Sequence, residues 1–175
     1  RCPSRSFTVV GDRAQARHGF AEAWQERLER AGLERISVSS LRVNYRTPEE
    51  VMAEAEPAIR AVLPDANVPT SIRKGGLPVV HGSVAELDTV LDDWLAAHAD
   101  GVACVIGSEG VGGVGSAFGA YSRVRSLTPE LSKGLEFDLV VLVDPETFGE
   151  GVEGAVDRYV AMTRATQQLV VLTSS

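Results

Sequence analysis

Aromatic residues are scarce in this 175-residue chain, where Phe, Tyr and Trp together make up 6%. Its core must therefore be built from Val, Leu, Ala and Ile. Cysteine is rarer still: Cys2 and Cys104 lie far apart, with no metal-ligand or disulfide spacing, and read as reduced thiols of a cytoplasmic protein. No apolar run approaches the length of a membrane span, and the first residues do not resemble a signal peptide. Positive charge is in deficit, with 17 Lys and Arg against 24 Asp and Glu and a net charge of −7. Bulk electrostatics therefore do not advertise nucleic-acid binding, which would need a local patch. Gly-x-x-x-x-Gly-Lys-Ser/Thr is absent, so the chain has no phosphate loop of its own.

What is present is ordinary for a globular domain: 44% apolar and 23% charged residues, enough chain for one good core. The first residue is Arg1 and a strand-like segment follows at once, which reads as a piece of a longer protein.

Residues 7–10 form a short apolar stretch with strand character, ending at Gly11-Asp12. Helical periodicity covers 20–31, with Ala21, Trp24, Leu28 and Ala31 on one stripe and Gly32 as the stop. A strand is predicted at 36–41. Thr47-Pro48-Glu49-Glu50 is a helix start, with Thr47 as N-cap, Pro48 at the first helical position and Glu50 reaching back. Residues 64–78, rich in Pro, Gly and polar groups, read as a connection. Ser83 and Glu86 form a capping box, followed by a helix with Leu87, Val90, Leu91, Trp94 and Leu95 at helical spacing.

Strands are expected at 102–106 and 121–127, separated by a glycine-laden loop at 107–119. The continuous apolar run 139–143 marks a central parallel strand covered on both faces. A helix at 152–163 and a strand at 169–172 complete the alternation, which argues for a three-layer α/β fold with a mostly parallel sheet.

Four polar islands punctuate this pattern, each near a strand end; in open α/β sheets, ligands collect at the carboxyl ends. Gly11-Asp12-Arg13-Ala14-Gln15 supplies an acceptor and an amide, though taken alone it reads as a plain turn. Asn44-Tyr45-Arg46-Thr47 offers an aromatic face and a guanidinium on a capped helix. Ser132-Lys133-Gly134-Leu135-Glu136-Phe137-Asp138 precedes the central strand. Tyr159-Val160-Ala161-Met162-Thr163-Arg164-Ala165 ends a helix and presents an arginine, which stays charged and can fork onto two phosphate oxygens.

In this order the islands resemble motifs III, IV, V and VI of superfamily 1 helicases of the UvrD/Rep type. The resemblance spans positions 10–165 and implies the C-terminal RecA-like lobe of a P-loop-NTPase-type motor, without the phosphate loop itself. Residues 1–32 would then be the tail of the first lobe and 33–175 the second.

The resemblance implies roles position by position. Arg46 and Arg164 would contact the γ-phosphate of ATP across the cleft, and Gln15 would sense that phosphate or its water. Tyr45 would stack on adenine, Gly134 and Glu136 would lie at the sugar and phosphates with Glu136 on the ribose, and Asp12 would lie within reach of the nucleotide. Ser132 and Lys133 would touch the polynucleotide or shape the loop. Mg²⁺ ligands would lie in the upstream lobe, the partner within the same polypeptide, and Arg164, in this lobe alone, would point into water.

Two departures matter. Gln15 is followed by Ala16-Arg17-His18-Gly19-Phe20 instead of the family's base-stacking segment, with Phe20 as a substitute or a core residue. About 86 residues separate Arg46 from Lys133, too few for the large accessory domain of Rep-type enzymes. Both features resemble the HelD-like branch, whose members bind bacterial RNA polymerase. The implied track is therefore DNA or an RNA polymerase complex; a degenerate lobe serving only as a binding module is the non-enzymatic alternative.

Other features carry less. Gly110-x-Gly112-x-x-Gly115 satisfies G-x-G-x-x-G but lacks the surrounding βαβ unit and acid, so it reads as a loop. His18, His81 and His98 lack metal-ligand spacing, Trp24 and Trp94 fall on apolar stripes, and Asp88, Asp92 and Asp93 read as a solvated helix face.

Overall fold

The computed structural model describes residues 6–16, 22–75, 77–108 and 121–174. Four α-helices are described: α1 (Trp24–Arg30), α2 (Glu49–Arg60), α3 (Leu87–Ala97) and α4 (Gly151–Met162). The strands are β1 (Val43–Asn44), β2 (Thr70–Ser71), β3 (Val80–Ser83), β4 (Ala103–Ile106), β5 (Val124–Leu127), β6 (Phe137–Val143) and β7 (Ala165–Thr173). β3 to β7 form one parallel sheet in the order β3-β7-β6-β4-β5, while β1 and β2 pair in a separate parallel ladder.

The expected apolar run is the centre of the sheet. Every residue of β6 except Asp138 is buried. Its side chains alternate between two cores, Val140 and Leu142 facing α2 and α4, Leu139, Val141 and Val143 facing α3. A register shift between Phe137 and Leu139 returns Phe137 to the first core. At the same place Asp138 accepts hydrogen bonds from Val102 N at 2.9 Å and Gln167 Nε2 at 2.7 Å. Helices on both faces make the three-layer α/β fold that the alternation predicts.

The second capping box forms as read: Glu86 Oε2 accepts from Ser83 N at 2.7 Å and Ser83 Oγ from Ala85 N at 3.3 Å. A short 3-10 turn, Val84–Glu86, then leads into α3, whose Leu91 and Trp94 are buried. His98 caps the far end, stacked on Trp94. Arg123 closes that end by donating to the carbonyls of Leu95, His98 and Gly101. The helix stripe at 20–31 is described only from residue 22; α1 buries none of its residues, and the chain turns at Gly32.

Several expectations are corrected. Residues 7–10 and 36–41 are not strands: both stretches lie without sheet neighbours, and Val10 and Leu41 are 88% and 82% exposed. Apolar, β-prone residues make a strand only where a neighbour takes the backbone hydrogen bonds. The strand before α2 is instead the two-residue β1. Nor does Thr47 cap α2. Pro48 is the flanking residue, and Glu49 N reaches Arg73 O at 2.8 Å. Glu50 turns to accept from Gly75 N. β7 begins four residues earlier than expected, so Arg164 lies on the turn between α4 and β7 and not on a helix.

Gly154 of α4 is buried directly against the Gly149 carbonyl, where any Cβ would collide with backbone. That contact holds the loop before α4 against the helix's first turn. The loop at 109–119, with its G-x-G-x-x-G pattern, and His18 and Phe20 lie outside the described residues. No described helix is long and apolar enough to cross a membrane.

Candidate functional site

Three of the sequence islands converge at one end of the sheet. Glu136 lies just before β6, Arg164 just before β7, and Arg46 two residues beyond β1. Glu136 and Arg164 are thus at the amino ends of their strands, not the carboxyl ends where open α/β sheets usually collect ligands. This corrects the sequence expectation. The link between the two segments is a backbone hydrogen bond from Phe137 N to Arg164 O at 3.1 Å.

Arg46 is placed by a local turn. Asn44 Oδ1 accepts from Arg46 N at 2.9 Å and from Thr47 N at 3.1 Å, a side chain mimicking a backbone turn. From the other side, Arg73 Nη1 donates to Arg46 O at 2.9 Å and Ser71 Oγ to Thr47 O at 2.6 Å. Thr47 is itself fully buried. Arg73 and Ser71 fall in the 64–78 stretch that reads as mere connection; the β-branched Thr70 and Ile72 beside them were the available signal. The Arg46 side chain then extends to Glu136, Nη1 to Oε1 at 2.7 Å, with both groups half-exposed.

Arg164 does not point into water. It is 2% exposed, and its guanidinium is spent on the protein itself: Nε donates to Val160 O at 3.0 Å, Nη2 to Thr163 Oγ1 at 3.3 Å, Nη1 to Leu135 O at 3.5 Å. A cation on the last carbonyls of a helix suits the helix dipole. Burial lowers its proton affinity, and the nearby charge of Arg46 lowers it further; Glu136, Tyr159 and Asp12 act in the opposite sense. Burial raises the Tyr159 phenol to about 12, with Asp12 adding to the shift. The first island therefore belongs to the same electrostatic neighbourhood as the other three.

That island is a 3-10 turn, Arg13–Gln15, docked on the core through fully buried Ala14. Asp12 organises it, accepting from Ala14 N at 2.9 Å and from Gln15 Nε2 at 2.7 Å. Arg13 tethers it by two hydrogen bonds to Asp65, at 2.7 and 3.3 Å. The Arg13 guanidinium holds the Asp65 carboxyl below its ordinary 3.8. A depressed folded value means that the tether contributes fully above 3.8 and is lost as pH falls through the lower, folded value. Asp65 is mostly exposed, so the loss should loosen this turn without unfolding the domain. Amide protection of Gln15 and Ala16 is expected to fall as the pH drops below 3.8, and to be low already at neutral pH in Asp65→Asn. Equal protection in the variant and the parent would show that the ion pair does not hold the turn.

The remaining site candidates differ in access. Tyr45 is 73% exposed. Gly134 is exposed at φ +76, a conformation costly for any residue with a Cβ. Lys133 is half-buried, whereas Ser132 is fully buried and donates to Pro129 O at 2.7 Å, which shapes the turn. His81 is exposed beside Glu54, and Asp92 accepts from Tyr121 OH at 2.7 Å. Among the described residues no cluster of His, Cys, Asp and Glu could hold a metal. A cavity lined by Asp92, Leu95, Tyr121 and Arg123 holds none of the island residues, and its one cation is committed to carbonyls.

The fold is shared with the C-terminal domain of a possible DNA helicase from Lactobacillus plantarum WCFS1. The two chains align with a TM-score of 0.55 and 19% identity, over 75% of this chain and 89% of that one. The protein is thus an α/β domain with a parallel five-stranded sheet flanked by helices, of the same architecture as that domain. No family model and no curated protein matches the sequence.

Proposed function

We propose that this chain is the C-terminal motor lobe of an ATP-dependent superfamily 1 DNA helicase or translocase of the UvrD/Rep type. ATP and Mg²⁺ would be held between it and an upstream RecA-like lobe. The observation that carries this reading is the convergence of Arg46, Glu136 and Arg164 from three distant segments at one sheet end. Similarity to the fold of a domain described as part of a possible helicase supports it.

The residues present fit a nucleotide polyphosphate. Two guanidiniums share one neighbourhood, and the buried Arg46 Nε is a donor without an acceptor among the described residues. Bound ATP would supply the scissile phosphoryl group. Arg46 and Arg164 would neutralise charge developing on it, Tyr45 would offer its exposed ring to adenine, and Glu136 and Gly134 would border the sugar and phosphates. Asp12 would hold the Gln15 amide toward the phosphate end. Lys133, and Ser132 only through the turn it shapes, would face the polynucleotide. Mg²⁺ ligands would come from the upstream lobe.

The isolated chain should hydrolyse no ATP above background, while the full-length protein should hydrolyse it in a nucleic-acid-stimulated manner. Turnover by the isolated chain would overturn the half-site reading, and absence of turnover in the full-length protein would favour a binding module. The short interval between Arg46 and Lys133, occupied by α2, α3 and their strands, favours one second reading, a HelD-like ATPase acting on RNA polymerase. Polymerase co-purification without strand displacement would select it; strand displacement alone would select the helicase.

A further inference from the structure

The two arginine ion pairs near this site are built differently. Arg13 grips Asp65 with both terminal nitrogens, at 2.7 and 3.3 Å. Arg46 touches Glu136 through one, Nη1 to Oε1 at 2.7 Å, while its buried Nε has no acceptor among the described residues. A guanidinium engages a carboxylate or phosphate best through two parallel N–H groups. The Arg46 contact is therefore half made. It also lies where solvent reaches both partners, with side chains 40% and 46% exposed, so separating them involves little rearrangement.

Glu136 has a second neighbour. Arg164 lies close enough for Arg46 to repel its charge and for Glu136 to favour it. Glu136 is thus paired with Arg46 at 2.7 Å and adjoins Leu135, whose carbonyl accepts from Arg164 Nη1 at 3.5 Å. It gives the lobe internally the negative charge that a polyphosphate would bring from outside. Arg13 needs no such exchange, since its carboxylate holds it bidentately.

We propose that Glu136 is a positioning residue that latches Arg46 in the nucleotide-free lobe and must release it before Arg46 can bind a phosphate. This rests on the reading of Arg46 as a phosphate ligand. It assigns Glu136 a task distinct from contacting a ribose, because the latch competes with phosphate whether or not a sugar is present.

Inorganic tripolyphosphate, which has no sugar, separates the two tasks. In the full-length protein Glu136→Gln is expected to tighten tripolyphosphate binding roughly two- to five-fold, the span of an exposed ion pair. In an Arg46→Ala background the same substitution should change it by less than about a third, since the latch acts only through Arg46. No change or weaker binding in Glu136→Gln overturns the latch. So does equal tightening in the Arg46→Ala background, which would mean simple removal of a negative charge. If Arg46→Ala alone alters neither ATP hydrolysis nor tripolyphosphate binding, the phosphate role of Arg46 falls as well. If it impairs both while the cycle shows no coupling, the latch alone falls.

Discussion

Arg164→Ala should lower ATP turnover of the full-length protein about 10³-fold, the scale set by arginines that stabilise phosphoryl transfer. The same substitution should also destabilise this domain by about 3 kcal/mol, because the guanidinium is buried and satisfies the Val160 and Leu135 carbonyls. Loss of activity alone would therefore prove nothing. Arg164→Lys separates the two effects. Lysine keeps the cation and one donor for the helix end, so denaturant midpoints should recover much of the stability. It cannot fork onto two oxygens, so turnover should stay low. Turnover within about ten-fold of the parent in a stable Arg164→Lys protein would make Arg164 a structural helix-end residue only.

Gly154→Ala should destabilise the domain by about 3 kcal/mol or more. Two effects of opposite sign meet at this position. Alanine is the better helix former by about 1 kcal/mol. Its Cβ, however, would enter the space of the Gly149 carbonyl, which is backbone and cannot swing aside as a long side chain could. Overpacking against backbone wins, and α4 must lift. Since α4 carries Tyr159 and ends at the Thr163-Arg164 turn, the shift should reach the site as well. Stabilisation by about 1 kcal/mol instead, read from the denaturant midpoint, would mean that the 149–151 loop yields freely.

The parts of the fold legible from sequence were those whose signal is local. The unbroken apolar run of β6 announced a strand covered on both faces, and the Ser83–Glu86 box announced α3 down to its hydrogen bonds. Residues 7–10 and 36–41 look no less strand-like, but a strand also needs a neighbour, which no local pattern reports. For the candidate site, the segments were legible and their arrangement was not. The Arg46, Glu136 and Arg164 segments could be singled out, and they do converge. Burial of Arg164 could not be read, because its main acceptors are main-chain carbonyls, which any residue would supply. The amino-end placement was within reach, since the Glu136 island visibly precedes the central strand. That plain order outweighs the general preference of ligands for carboxyl ends.

Arg46 and Arg164 are not mounted on the same frame. Arg164 is fixed to the five-stranded sheet through β7, whereas Arg46 follows β1, whose ladder partner is β2 and not a strand of that sheet. The small ladder is joined to the rest through α2, with Asn44 Nδ2 meeting Met52 Sδ at 3.5 Å. Besides the Arg46–Glu136 ion pair, the separation of the two guanidiniums therefore depends on how α2 seats on α4, through Met52, Ala55 and Ile59. Packing of that kind adjusts by tenths of an ångström where a ladder of hydrogen bonds would hold register. Conservative exchanges in the α2 core, none of them at a charged residue, thus become a means of tuning the span between the arginines.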